Sequence, residues 1–257
     1  MFTKSLITIT LKVKPIFFIC LFIISCSKKT EDIIPEKKCV VSKINLPTWG
    51  RVIEMGYDNQ KRITTYKNTF TFNFTTFEYD SKGNMIKLLQ YADDFANTQA
   101  TSIIEVNCKY NDKSILQEIS IEEKKSFIPG SINRIPVTMN DKKQVTNLKF
   151  SNYSVFFEYD SDGNMVKTND SIRPNDYREC QYDDKKNPYK DFPWIFRYFY
   201  TNYGGFGANN ITVTKEVFGS IITNYSVKYQ YNANGFPVNA TQSSDNKVFN
   251  EFEYKCD

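Results

Sequence analysis

The 257-residue chain contains no histidine. That one absence removes the commonest general base, Ser-His-Asp and Cys-His catalysis, and imidazole metal sites. Cysteine is scarce and never falls in Cys-x-x-Cys spacing, so a thiolate zinc site has no support. An excess of one charge is missing too. The 33 basic residues face 29 acidic ones, which leaves no footprint for nucleic acid. Long helical periodicity is absent, and the apolar run at residues 16–24 is too short for a transmembrane helix.

That run has the length of a signal-peptide core, and Lys4, Lys12 and Lys14 precede it. Ile23-Ile24-Ser25-Cys26 then reads as a lipobox, in which the Cys26 thiol receives a diacylglycerol and the chain is cut just before it. Residues 1–25 are expected to be a lipoprotein signal peptide and Cys26 the acylated first residue. Two or more acyl chains hold a protein stably on a bilayer, so the membrane is an expected partner. Residues 26–38 are polar and charged and read as a flexible tether. Residues 39–257 read as one domain, long enough to bury a core. Without the three signal lysines the net charge falls from +4 to near +1.

The domain is organised around a repeat, clearest in Phe157-Glu158-Tyr159-Asp160-Ser161-Asp162-Gly163-Asn164-Met165-Val166-Lys167. Phe157 and Tyr159 flank Glu158, the period-two pattern of a half-buried strand. Asp160 to Asn164 are turn formers: Asp and Asn cap their own backbone, and Gly supplies a positive φ at little cost. Met165-Val166-Lys167 starts the returning strand. The nearest copy runs from Phe77 to Lys87. Looser copies centre on Tyr57-Asp58, Tyr110-Asn111, Tyr182-Asp183 and Tyr231-Asn232, with Met139-Asn140 a weaker one and Phe252-Glu253-Tyr254 a truncated one. Several lie about 20–30 residues apart, the size of a hairpin unit that cannot bury its apolar face alone. The expected fold is all-β, an antiparallel meander of hairpin repeats curved by its twist into an open sheet or partial barrel. Thr75-Thr76 reverses the alternation of the aromatics before it, which predicts a bulge or bend there.

The Tyr-Asp-x-x-Gly-Asn units resemble YD-type repeats. The segment Tyr182-Asp183-Asp184-Lys185-Lys186-Asn187-Pro188-Tyr189 is similar to one common in small Bacteroidetes lipoproteins built on a β-repeat domain. The resemblance covers most of the mature chain and implies a repeat fold on the outer membrane. It transfers no active-site residue. In such lipoproteins a charged stretch after the acylated cysteine accompanies transfer to the cell surface, and Lys28-Lys29-Thr30-Glu31-Asp32 is a partial match.

Four thiols remain in the domain: Cys39, Cys108, Cys180 and Cys256. An exported domain with an even count favours disulfides. Cys39 and Cys256 bracket the domain, while Cys108 and Cys180 each stand two residues before a repeat tyrosine. Three pairings are open, as is the reading of four buried free thiols. Asp160-Ser161-Asp162-Gly163-Asn164 invites a calcium loop, but its glycine comes two residues too early and Ser171 stands where the closing Glu belongs. No metal or cofactor is therefore expected. Glu78, Glu158 and Glu253 share one repeat position and are the only basis for a carboxylate-only hydrolase. The segment Phe192 to Tyr200, with Tyr203 and a glycine cluster after it, departs from the repeat and is expected to cover one end or face of the sheet. Trp194, Tyr198, Tyr200 and Tyr203 form a candidate platform for a sugar there, set against simple packing of the rings.

Together these features predict a non-enzymatic, lipid-anchored envelope protein that binds or scaffolds a glycan, a protein or an envelope polymer. A carrier of an apolar ligand inside the curved sheet is the alternative, followed by the hydrolase.

Overall fold

The computed structural model describes residues 39–69, 74–93, 100–125, 130–200 and 207–256. The signal peptide, the lipobox with Cys26, the tether and Tyr203 lie outside the described residues.

Residues Lys37–Asp257 form one compact unit. Its first eight strands are Cys39–Leu46 (β1), Arg51–Tyr57 (β2), Ile63–Asn68 (β3), Phe74–Tyr79 (β4), Met85–Asp93 (β5), Ala100–Tyr110 (β6), Leu116–Lys125 (β7) and Ile132–Met139 (β8). Then come Val145–Lys149 (β9), Ser154–Tyr159 (β10), Met165–Asp170 (β11) and Tyr177–Lys186 (β12). A helix, Trp194–Tyr200 (α1), precedes Asn209–Phe218 (β13), Ile221–Tyr231 (β14), Pro237–Gln242 (β15) and Val248–Cys256 (β16). Each strand pairs antiparallel with its sequence neighbours, and β1 pairs with β16 to close a barrel.

Closure corrects the expected open sheet or partial barrel. The two end strands meet over six residue pairs, from Cys39 opposite Cys256 to Asn45 opposite Glu251. Their inner faces bring Val41 and Ile44 beside Tyr254 and Phe252, so apolar burial and ladder hydrogen bonds both favour closing the seam. A disulfide joins Cys39 to Cys256 at one end of the seam. Cys108 and Cys180 are free thiols buried on the inner face, and burial pushes the Cys108 thiol up to about 12.

The polarity of the wall runs inward. Val41, Ile44, Ile53, Phe77, Leu88, Val106, Ile119, Leu148 and Phe157 are buried within it. The alternate positions carry charge to the outside, where Lys43 pairs with Glu253, Arg134 with Glu118, and Glu105 with both Lys87 and Lys124. A bilayer-spanning barrel needs an outward apolar band. This outer face is charged along the strands, so it suits water rather than hydrocarbon.

Every full repeat builds the same joint. The turn aspartate or asparagine accepts two backbone N–H groups: Asp80 Oδ1 from Lys82 and Asn84, Asp160 Oδ1 from Asp162 and Asn164, Asn232 Oδ1 from Asn234 and Phe236. Asn84 and Asn164 also donate their side-chain amides to the second oxygen of the same carboxylate. Both carboxylate oxygens of Asp160 are thus engaged in shaping its turn. Just before the repeat tyrosine the strand register shifts by one, between Glu78 and Tyr79, Lys109 and Tyr110, Glu158 and Tyr159, and Gln230 and Tyr231. The bulge therefore recurs at the tyrosine. It is not at Thr75-Thr76, where pairing from Phe74 to Phe77 is regular and Phe74 simply faces outward.

Candidate functional site

The β12–β13 connection departs from the repeat because Asp183 does not close a tight turn. Its Oδ1 accepts from the Lys185 and Asn210 backbones, and its Oδ2 accepts the Tyr231 hydroxyl. Asn187, Asn164 and Asn210 are buried beside it. Asn187 donates to the carbonyls of Gly207 and Asn209 and accepts from the Tyr189 N–H, while Asn164 accepts from the Asn209 N–H. These amides gather the two ends of the excursion, satisfying buried backbone groups that a ladder would otherwise pair.

The excursion enters the lumen, so the face it covers is the inner one. Phe192, Ile195 and Phe196 are buried, and the Phe196 ring meets the edges of Tyr66 and Phe77 at centroid distances of 4.9 and 5.1 Å. Trp194 stacks on Tyr198 at 5.3 Å, and both rings meet Phe157 of the wall. These two members of the candidate platform are engaged in packing. The side chain of Tyr200, like Tyr203, lies outside the described residues.

Successive hairpin connections alternate between the two ends of the barrel. The repeat turns occupy one end, with Cys39 and Cys256. At the other end the lumen above α1 is not filled. A chamber of about 550 Å³ remains, within the usual range of small-molecule sites. Its floor is Phe196 and Tyr189, its walls include Ile44, Ile53, Ile211 and Phe252, and Arg51, Asn68, Arg178 and Asn250 add polar groups. Arg51 is opposite Leu46 on the inner face of β2, and Arg178 is opposite Thr168 on that of β12. Glu216 Oε1 accepts from both Nε and Nη2 of Arg178, which fixes the guanidinium at the wall. Burial pushes the phenols facing the lumen upward, that of Tyr66 to about 12, so they remain protonated donors at neutral pH.

The repeat glutamates do not assemble into a catalytic pair. Glu78, Glu158 and Glu253 stand on β4, β10 and β16, none of which are neighbours, and all three face outward. Glu253 is held 2.9 Å from Lys43. Sequence reasoning did not single out the chamber's charged residues, Arg51 and Arg178. Their period-two relation to Ile53 and Cys180 is the only local signal that they turn inward.

No family model and no curated protein matches the sequence. Solved structures with a similar course include a porin-like protein from Bacteroides vulgatus, 10% identical with a TM-score of 0.40. Another is a porin-like protein from Bacteroides uniformis, 15% identical with a TM-score of 0.32. Each match covers 84% of this chain and 98% of the other.

Proposed function

We propose that the protein is a non-enzymatic, lipid-anchored protein of the bacterial outer membrane that holds a small ligand with an apolar body inside its barrel. The observation that carries this reading is the combination of a charged outer wall with an apolar lumen that α1 fills only in part. The wall suits water, so attachment to the membrane falls to Cys26, and the chamber is the one recess with an aromatic floor described above. The lipobox and the charged residues after it support an acyl anchor and display at the cell surface.

Two measurements test the two halves. Cys26→Ala should move the protein from the membrane fraction to the soluble one, whereas continued integral association would mean that the barrel itself spans the bilayer. The neutral fluorophore N-phenyl-1-naphthylamine should bind the purified protein with one-to-one saturation. Thr214 lines the chamber, and Thr214→Trp should abolish that binding while leaving the fold intact. No saturable binding by the unmodified protein would remove the chamber reading.

A further inference from the structure

Strand lengths around the barrel are uneven, and the unevenness leaves an edge open at the mouth. β13 pairs with β14 from Val213 opposite Ser226 up to Phe218 opposite Ile221. β15 pairs with β14 only from Val227 onward, and its connection adds one bond more, from the Ser243 N–H to the Ser226 carbonyl. Among the described residues, 221–225 therefore have a ladder partner on the β13 side alone. Backbone groups alternate sides along a strand, so Ser226 fixes the phase. The N–H and C=O of Ile222 and Asn224 point to the open side, and those of Ile221, Thr223 and Tyr225 point to β13.

An open edge is a template for another strand, and proteins usually guard it with charge or proline. β8 shows that guard. Its residues 132–136 pair with β7 but not with β9, which joins only at Val137, and the stretch carries Arg134 and Pro136. The β14 edge has neither, since from Val217 to Val227 no residue is charged and none is proline. Phe218, Ile221 and Ile222 are instead each more than half exposed there.

We infer that a second copy of this chain docks at this edge, β14 against β14, antiparallel across a two-fold axis. A two-fold sets the residue on the axis against its own copy, so a charge there would meet its like, and this stretch carries none. Centring the axis on Ile222 lets the two Ile222 backbones exchange a pair of hydrogen bonds and sets Ile221 opposite Thr223, a pairing of β-branched side chains. Centring it on Thr223 would drive the turn at Gly219 and Ser220 onto Ser243, which already holds Ser226. The Ile222 register clears it. About five residues a side put the interface below about 1,200 Å², the size of a weak, reversible contact. The contact uses the rim and is independent of the ligand chamber.

The test uses the mature chain carrying Cys26→Ser, so that no acyl chain or stray thiol contributes. Sedimentation equilibrium from micromolar to millimolar concentration should show the average mass climbing toward that of a dimer. Ile222→Pro removes an N–H that the β13 ladder does not use, so it should leave the thermal midpoint nearly unchanged while weakening association at least tenfold. Directly opposed hydrogen-bonded residues lie about 5.5 Å apart at Cα, within disulfide reach. Ile222→Cys should therefore form an intermolecular disulfide on mild oxidation, whereas Asn133→Cys, on the guarded edge of β8, should stay monomeric. Cys108 and Cys180 are buried and do not compete. A monomer at every concentration would overturn the inference. So would a dimer that Ile222→Pro leaves intact, or cross-linking of Asn133→Cys as ready as that of Ile222→Cys.

Discussion

The hydroxyl of Tyr79 donates to the carbonyl of Ile63, 2.8 Å away and one hairpin earlier. The same bond recurs from Tyr159 to Val145, Tyr182 to Met165 and Tyr254 to Pro237, in each case reaching the first residue of the preceding return strand. The register shift at the tyrosine places its extra residue on the partner strand, Ile86 of β5 opposite Tyr79 and Val166 of β11 opposite Tyr159, so the wall bends at the point where the tyrosine reaches across. Tyrosine at this position is thus a fastener between hairpins as well as a core residue. Tyr79→Phe keeps the ring but leaves the buried Ile63 carbonyl without this donor, at a cost of about 1–2 kcal/mol. A lowered urea midpoint with an unchanged slope is the expected result. An unchanged midpoint would show that the bond does not contribute.

The turns differ in strain although they share a shape. Gly163 has φ of 92°, a conformation that glycine adopts at little cost, whereas Lys143 occupies the matching place in its own repeat with φ of 59°. Lys143→Gly should therefore stabilise the protein by about 1 kcal/mol, since a non-glycine residue in this region carries strain of that order. Gly163→Ala should do the reverse. Thermal midpoints of the two variants, moving in opposite directions, check the argument.

The barrel seam depends on residues at the two ends of the domain. Cys39 and Cys256 are 217 residues apart in sequence, so their bond constrains nearly the whole unfolded chain. Cys39→Ser with Cys256→Ser should cost about 2–4 kcal/mol. The loss should appear first as faster hydrogen exchange in β1 and β16, because the seam is the place where sequence neighbours do not hold the ladder.

Much of the fold was legible locally, and what was missed is non-local. Phe77 with Tyr79 and Phe157 with Tyr159 announced both their strands and their inward face by alternation, and Asp80 and Asp160 announced their turns. Nothing near Val41 says that its partner is Tyr254, so closure could not be read. The helix was hidden for a different reason. Wrapped by the wall, α1 has aromatic and apolar residues around its circumference rather than an amphipathic stripe, so the usual period is missing. The chamber inherits both difficulties, since it is assembled from the two halves of the seam, β12 and α1.

Glu105 carries the clearest acid sensitivity on the outer wall. A hydrogen bond from Lys124 at 2.7 Å, followed by one from Asn107, lowers its carboxyl to about 2. The folded value lies below the unfolded one, so the stabilisation is complete above the ordinary glutamate range and is lost as pH falls toward about 2. Glu105→Gln lacks this contribution. The gap in urea midpoint between the natural protein and the variant should therefore be widest near neutrality and shrink through the acid range. Salt should narrow it at neutral pH, because the pair is at the surface.

Phe196 connects the stability of the barrel to the size of its chamber. It is 1% exposed, packs against Tyr66 and Phe77, and forms part of the chamber floor. Phe196→Ala removes those contacts and leaves a void, at a cost of about 3–5 kcal/mol. The void opens onto the existing chamber, so the variant should bind apolar probes one ring larger than those the natural protein accepts. A ligand that fills the enlarged space should restore part of the lost stability, about 2.7 kcal/mol when its free concentration is about a hundred times its Kd. Urea titrations with and without such a probe separate the possibilities. Destabilisation with rescue places Phe196 between plug and chamber, whereas destabilisation without rescue would mean that the floor collapses once the ring is removed.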